Sequence, residues 1–149
     1  MSFYMKIYGA KRIEKKLDKL EKKVAKKVVV QAVRKVAKDI LKTEMESKAK
    51  SMVGGKMGKE LARSISVVTA KRRHKGDYMV IAKTKPKKGQ DGFIYMSKKG
   101  KRSYIPHAIE FGHGNVKPIP FMRTAWKKSV KMAQKALAKQ IVLNIVKQA

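Results

Sequence analysis

Hydrophobic positions along the chain change period several times, and each change marks an element. Phe3, Met5 and Ile7 alternate with Tyr4, Lys6 and Tyr8, and Gly9 ends the run, which predicts a short strand. From 11 to about 48 the spacing becomes three or four: Ile13, Leu17, Leu20, Val24 and Val28 form the stripe of an amphipathic helix. Past Val24 the stripe doubles into Val24/Ala25, Val28/Val29, Ala32/Val33, Val36/Ala37 and Ile40/Leu41. A stripe that broad asks for more than one neighbour. Lys15, Lys19, Lys23 and Lys27 follow each other at i, i+4 on the other face, and such like-charge pairs weaken an isolated helix. This helix depends on what it buries.

Gly54-Gly55 ends that helix, and a short turn is expected near 58–63. Strands are expected at 64–70 and 78–82, joined by Arg-Arg-His-Lys-Gly-Asp, whose Gly-Asp marks a hairpin connection. The stretch 83–104 is the least regular, holding Pro86, several glycines and many lysines. Only 93–96 reads as a strand there, and 83–103 is otherwise expected to be a flexible basic loop. A short helix is expected at 104–111, stopped by Gly112 and Gly114, and Pro118 and Pro120 then set a new start. The last helix, 121–146, shows Met122, Trp126, Val130, Ala133, Leu137, Ile141 and Ile145 as its apolar face. The order predicts an α+β fold over a single domain, 1–149. It would have a small antiparallel sheet of three to four strands packed against two long helices, N-terminal and C-terminal, with a long basic loop.

Charge changes the picture. Thirty-nine Lys and Arg stand against ten Asp and Glu, a formal +29, and this self-repulsion opposes the compact state. Apolar residues are nevertheless 43% of the chain, an ordinary globular fraction, so a real core is expected. The charge is tolerable if spread over exposed faces or met by something acidic: nucleic acid, an anionic membrane or an acidic protein surface. Cysteine is absent, which excludes disulfides and thiolate metal sites. The longest apolar runs are too short to span a membrane, and the start shows no signal-peptide pattern. A soluble product of the cytoplasm is expected.

The strongest case for chemistry is His107-Ala-Ile-Glu110-Phe-Gly-His113, since His and Glu are legitimate zinc ligands. On a continuous helix, however, His113 lies about 9 Å along the axis from His107, too far to share one ion. The spacing also differs from H-E-x-x-H, so no metal is expected. Neither a nucleophile elbow nor a P-loop pattern is present, and six of the ten acids lie between Glu14 and Glu46. No catalytic residue and no cofactor are expected. Nucleic acid is a real alternative partner. Lys71, Arg72, Arg73, Lys75, Lys85, Lys87, Lys88, Lys98, Lys99, Lys101 and Arg102 lie in expected loops, with Phe93, Tyr95 and Tyr104 near them. Such loops would follow a phosphate backbone without reading sequence, with a steep salt dependence.

Across 104–125 the text reads Y-I-P-H-A-I-E-F-G-H-G, then P-I-P-F-M-R-T-A. This resembles the tail-completion (neck) proteins of long-tailed bacteriophages, which join head to tail. The matching residues are Tyr104, Glu110, Phe111, Gly112, Pro120, Phe121, Met122, Arg123 and Ala125. M-K-I-Y-G-A-K-R-I-E-K-K-L resembles the family's opening strand and helix, and G-K-M-G-K-E-L-A-R-S-I-S-V its central segment, through Leu61, Ser64 and Ile65. His113 stands where Thr or Ser is common, and the basic loop is unusual. The resemblance implies a non-enzymatic virion component made in the host cytoplasm and placed at the neck or tail top. It implies a sixfold ring around the DNA channel, with head-closure and tail-tube or tail-terminator proteins as partners. Free subunits are expected to be monomeric, and the basic residues are expected to meet DNA or acidic neighbouring rings. Glu110, the last acid of the chain, is expected to pair with Arg123 or a neighbouring subunit's lysine.

Overall fold

The computed structural model describes residues 13, 18, 22–69, 80–85, 94–96, 102–115 and 117–147. The expected strand at 3–7 lies outside them. Ile13 and Asp18 are helical, and a continuous helical arm runs over 22–53. The arm consists of α1 (Lys22–Val36), a π-helical segment (Ala37–Lys42), α2 (Thr43–Lys48) and a second π-helical segment (Ala49–Val53). It passes the expected end at 48 and stops at Gly54, whose φ of 72° and ψ of 179° belong to a region open essentially to glycine alone.

The helix α3 (Gly55–Ser64) follows, longer than the turn expected at 58–63. Gly58 faces the second π segment so closely that a Cβ there would meet the Ala49 carbonyl oxygen at 2.7 Å. The strands β1 (Ile65–Thr69) and β2 (Val80–Thr84) pair antiparallel, with Ile65 opposite Thr84 and Thr69 opposite Val80. Their connection is outside the described residues.

A second antiparallel ladder joins β3 (Ile94–Met96) to β4 (Arg102–Tyr104), with Ile94 opposite Tyr104. The fold is mostly helical and still α+β, but the single sheet of three to four strands is corrected. Among the described residues the strands form two separate two-stranded sheets. The cause is local, because β3 and β4 are three residues each and set in a stretch rich in Lys and Gly. Strands so short add little to a neighbouring sheet. The ladder also places secondary structure inside the expected loop at 83–103, and Lys83 and Thr84 belong to β2.

The chain closes with α4 (Ile105–Phe111) and α5 (Phe121–Val146). The helix α5 runs antiparallel to the arm. Its first residues pack on Met45 and Ala49, while near its end the Asn144 side-chain amide donates to the Val28 carbonyl at 3.2 Å. Lys128 Nζ lies 2.8 Å from Glu44 Oε1, an oxygen withdrawn from solvent, so α5 is also tied to α2 by charge.

Two apolar clusters form the core. One joins Val28, Val29, Ala32, Val33, Val36, Ala37 and Leu41 to Ala133, Leu137, Ile141 and Ile145. The other joins Met45, Ala49, Leu61, Ala62, Ile65 and Ala82 to Phe121, Met122 and Ala125. The broad stripe past Val24 is explained by these neighbours, since the arm meets α5 along its length and also the first sheet.

The buried row of α5 is Phe121, Ala125, Ser129, Ala133, Leu137, Ile141 and Ile145, with Met122 beside it. Trp126 and Val130, expected on that face, are only half-buried. Ser129 replaces them because its hydroxyl donates to the Ala125 carbonyl at 2.7 Å, so its polar group is satisfied within the helix. Small side chains at 125, 129 and 133 then let the arm come close. A row at four-residue spacing drifts about 40° per step around a helix of 3.6 residues per turn. The arm has such a row too, in Ala37, Leu41, Met45 and Ala49, all buried. Its π segments widen the turn toward that spacing and hold the row in line.

Candidate functional site

The only acid after Asp91 sits at the junction of α4 and α5. Glu110 lies in the last turn of α4 and is 2% exposed. Its carboxylate accepts three hydrogen bonds: from the Met122 N–H at 2.9 Å, the Arg123 N–H at 3.1 Å and Arg123 Nε at 3.1 Å. Arg123 Nη2 returns to the Glu110 carbonyl at 2.8 Å. Each group thus holds the other by backbone and side chain.

The need for this arrangement follows from how α5 begins. Its cap is Pro120, whose side chain can accept nothing, and no acid occupies the first turn. The first amide groups of a helix lack partners inside it. Glu110 supplies the acceptor from another helix, and its negative charge meets the positive end of the α5 dipole. Further contacts fix the two elements. The Ile119 N–H donates to the Ile109 carbonyl at 2.7 Å, and the Gly112 N–H to the Ala108 carbonyl at 2.8 Å. Gly112 has a φ of 80°, a left-handed turn suited to glycine, which reverses the chain after α4. On the solvent side the Arg123 guanidinium lies over the Phe111 ring at 4.9 Å, and His107 meets the same ring at 4.6 Å between centroids.

The structure therefore brings Glu110, Phe111, Gly112, Pro120, Met122 and Arg123 together at one junction. Phe121 and Ala125 are buried in the core beneath it. Tyr104 ends β4, one residue before α4 begins. His107 and His113 are exposed, and the Glu110 oxygens between them in sequence are held by Met122 and Arg123. No cluster of three metal-ligating side chains occurs among the described residues.

Of the basic loop residues, Lys85 is exposed just after β2, where its N–H donates to the Ser64 carbonyl at 2.9 Å. Arg102 stands opposite Met96 in the β3–β4 ladder. Lys71, Arg72, Arg73, Lys75, Lys87, Lys88, Lys98, Lys99 and Lys101 fall outside the described residues.

Sequence reasoning missed the role of the Met122 and Arg123 backbone amides. The signal was available: a 26-residue helix opening on Pro-Phe-Met-Arg has no capping side chain of its own, and Glu110 is the one acid near it in the chain.

A model of the HK97-gp10-like family, described as a proposed tail component of bacteriophages, matches residues 11–112. Searches among curated proteins and among solved structures return no significant match. The matched span takes in Glu110, Phe111 and Gly112 and ends before Pro120.

Proposed function

Because the chain belongs to the HK97-gp10-like family of bacteriophage tail components, we propose that it completes the top of a phage or prophage tail and joins it to the head-closure ring. In this reading it is a non-enzymatic virion protein and one subunit of a sixfold ring around the DNA channel. Its partners are head-closure and tail-tube or tail-terminator proteins. The family match over 11–112 carries the reading, and it bears out the resemblance to phage tail-completion proteins at the level of the tail-component family. The clasp at Glu110 supports a structural role, because its carboxylate is buried and engaged by the fold itself. No helix among the described residues is long and apolar enough to cross a membrane.

Phage particles made without the chain provide the test. The expected result is full heads and finished tails that remain unjoined, with joining restored by adding the purified protein. Normally joined particles in its absence would overturn the proposal.

The formal charge of +29 favours a second reading, a nucleic-acid-binding protein without sequence preference. A gel-shift salt series separates the two. Submicromolar binding at about 0.15 M salt with a steep salt slope would favour the second.

A further inference from the structure

The helix α5 buries one side and offers the other to solvent, and that outer side is not uniformly polar. Met132 is 56% exposed, Leu143 54% and Val146 65%. At 100° per residue these three fall within a sector about 60° wide and about 20 Å long. Lys139 lies within the sector, and Lys131, Lys135 and Lys147 flank it. Residues 111–149 contain no acid, so nothing on α5 neutralises this rim. Leu143 and Val146 are i, i+3 neighbours on the helix surface, and an exposed apolar patch rimmed by polar residues marks an association surface. The stripe lies beyond the span matched by the family model, which therefore assigns it no role.

The charge selects the occupant. The same face of a second copy would set one lysine rim against another. Duplex DNA would satisfy the lysines and leave Leu143 and Val146 without a counterpart. A lipid surface suits a helix free to sink its apolar face, but α5 is anchored along its opposite side by Ala133, Leu137, Ile141 and Ile145, and Lys139 interrupts the stripe. We propose that the outer face of the second half of α5 docks an acidic protein surface. That surface would be a partner helix or loop presenting an apolar ridge between rows of Asp and Glu. The partner's carboxylates would neutralise the lysine rim, while Met132, Leu143 and Val146 supply the buried centre of the contact.

The inference rests on the reading of the chain as a joining protein, and the experiment keeps the two separable. Particles made without the chain are supplemented with purified wild type or with Met132→Asp/Leu143→Asp, both sites being solvent-exposed. Melting curves establish that the variant folds. Wild type is expected to restore joining, and the variant to restore it at least about tenfold less well, the effect of losing about 1.4 kcal/mol at an interface. Equal restoration by the variant would overturn the docking surface and leave the joining role standing. Failure of wild type would overturn the joining role, and with it this inference. Three assays on the wild type must also give negative results at the stripe: sedimentation equilibrium, gel shift with duplex DNA, and co-sedimentation with vesicles of phosphatidylglycerol. Dimerisation, DNA binding or vesicle binding that the double substitution abolishes would each assign the stripe to another occupant.

Discussion

Replacing Glu110 by Gln changes one oxygen to an amide and leaves the side chain's shape intact, so it isolates the electrostatics of the clasp. In the native protein the two carboxylate oxygens accept from three N–H groups, two of them backbone amides at the start of α5. Gln keeps one acceptor. Its new NH2 must face either the Met122 N–H or the Arg123 donors, so at least one buried donor loses its partner. An unsatisfied buried donor costs about 1–3 kcal/mol, and hydrogen bonds to a charged group contribute about 1.5–3 kcal/mol each.

Two effects adjust that figure. Loss of the negative charge at the α5 N-terminus adds about 0.5–1 kcal/mol. The Arg123 side chain is 43% exposed, so water can solvate its charge, and the larger penalty of a fully buried broken pair does not apply. The net expectation is about 2–3 kcal/mol. For a chain of about 150 residues each kcal/mol moves the midpoint by about 2–4 °C, so Tm should fall by roughly 5–10 °C. The assay is thermal unfolding followed by circular dichroism at 222 nm. Arg123→Ala should also destabilise, because it removes the Nε and Nη2 hydrogen bonds and leaves the buried Glu110 carboxylate held by the two backbone amides alone. A Tm for Glu110→Gln within about 1 °C of wild type would refute the reasoning.

Other perturbations follow from the packing. Gly58→Ala should destabilise by about 1–3 kcal/mol, although alanine is ordinarily the better helix former, because its Cβ would press on the Ala49 carbonyl. Urea unfolding checks the sign, and a more stable variant would contradict the close approach of α3. Ser129→Ala should change stability by less than about 1 kcal/mol, since the hydroxyl and its acceptor lie on the same helix, whereas Ser129→Leu should cost about 1–3 kcal/mol by overfilling the interface with the arm. Raising sodium chloride from about 0.05 to about 0.5 M should increase Tm, because screening relieves the repulsion of a +29 chain. A Tm that falls across that series would show that attractive pairs such as Lys128–Glu44 dominate instead.

The helices were legible where residues repeat with a helical period. The bounds of α5, and the break at Gly54-Gly55, follow from Pro120 before the apolar row and from the glycines. The face of α5 was harder to read. Trp126 is the more apolar residue, yet Ser129 is buried, because closeness to the arm selects small side chains over hydrophobic ones. The two π segments leave no mark on a reading that assumes one helical period throughout. Pairing between strands is a long-range property, so the split into two ladders could not be read from alternation within each strand. At the clasp, the acid, the glycine and the arginine were all visible. The uncapped start of α5 pointed to Glu110 as an acceptor, but how α4 lies against α5 to deliver it is a tertiary property.

Both apolar clusters draw on α5: Ala133, Leu137, Ile141 and Ile145 complete one, and Phe121, Met122 and Ala125 the other. The stretch 11–112 that identifies the family therefore lacks residues that complete both clusters. A gene fragment trimmed to that stretch would strip the arm of the surface it was built to cover, and would strand Glu110 at its new terminus with nothing left to hold. Evolutionary signature and physical integrity have different boundaries in this chain, and a recombinant product should be designed to the second.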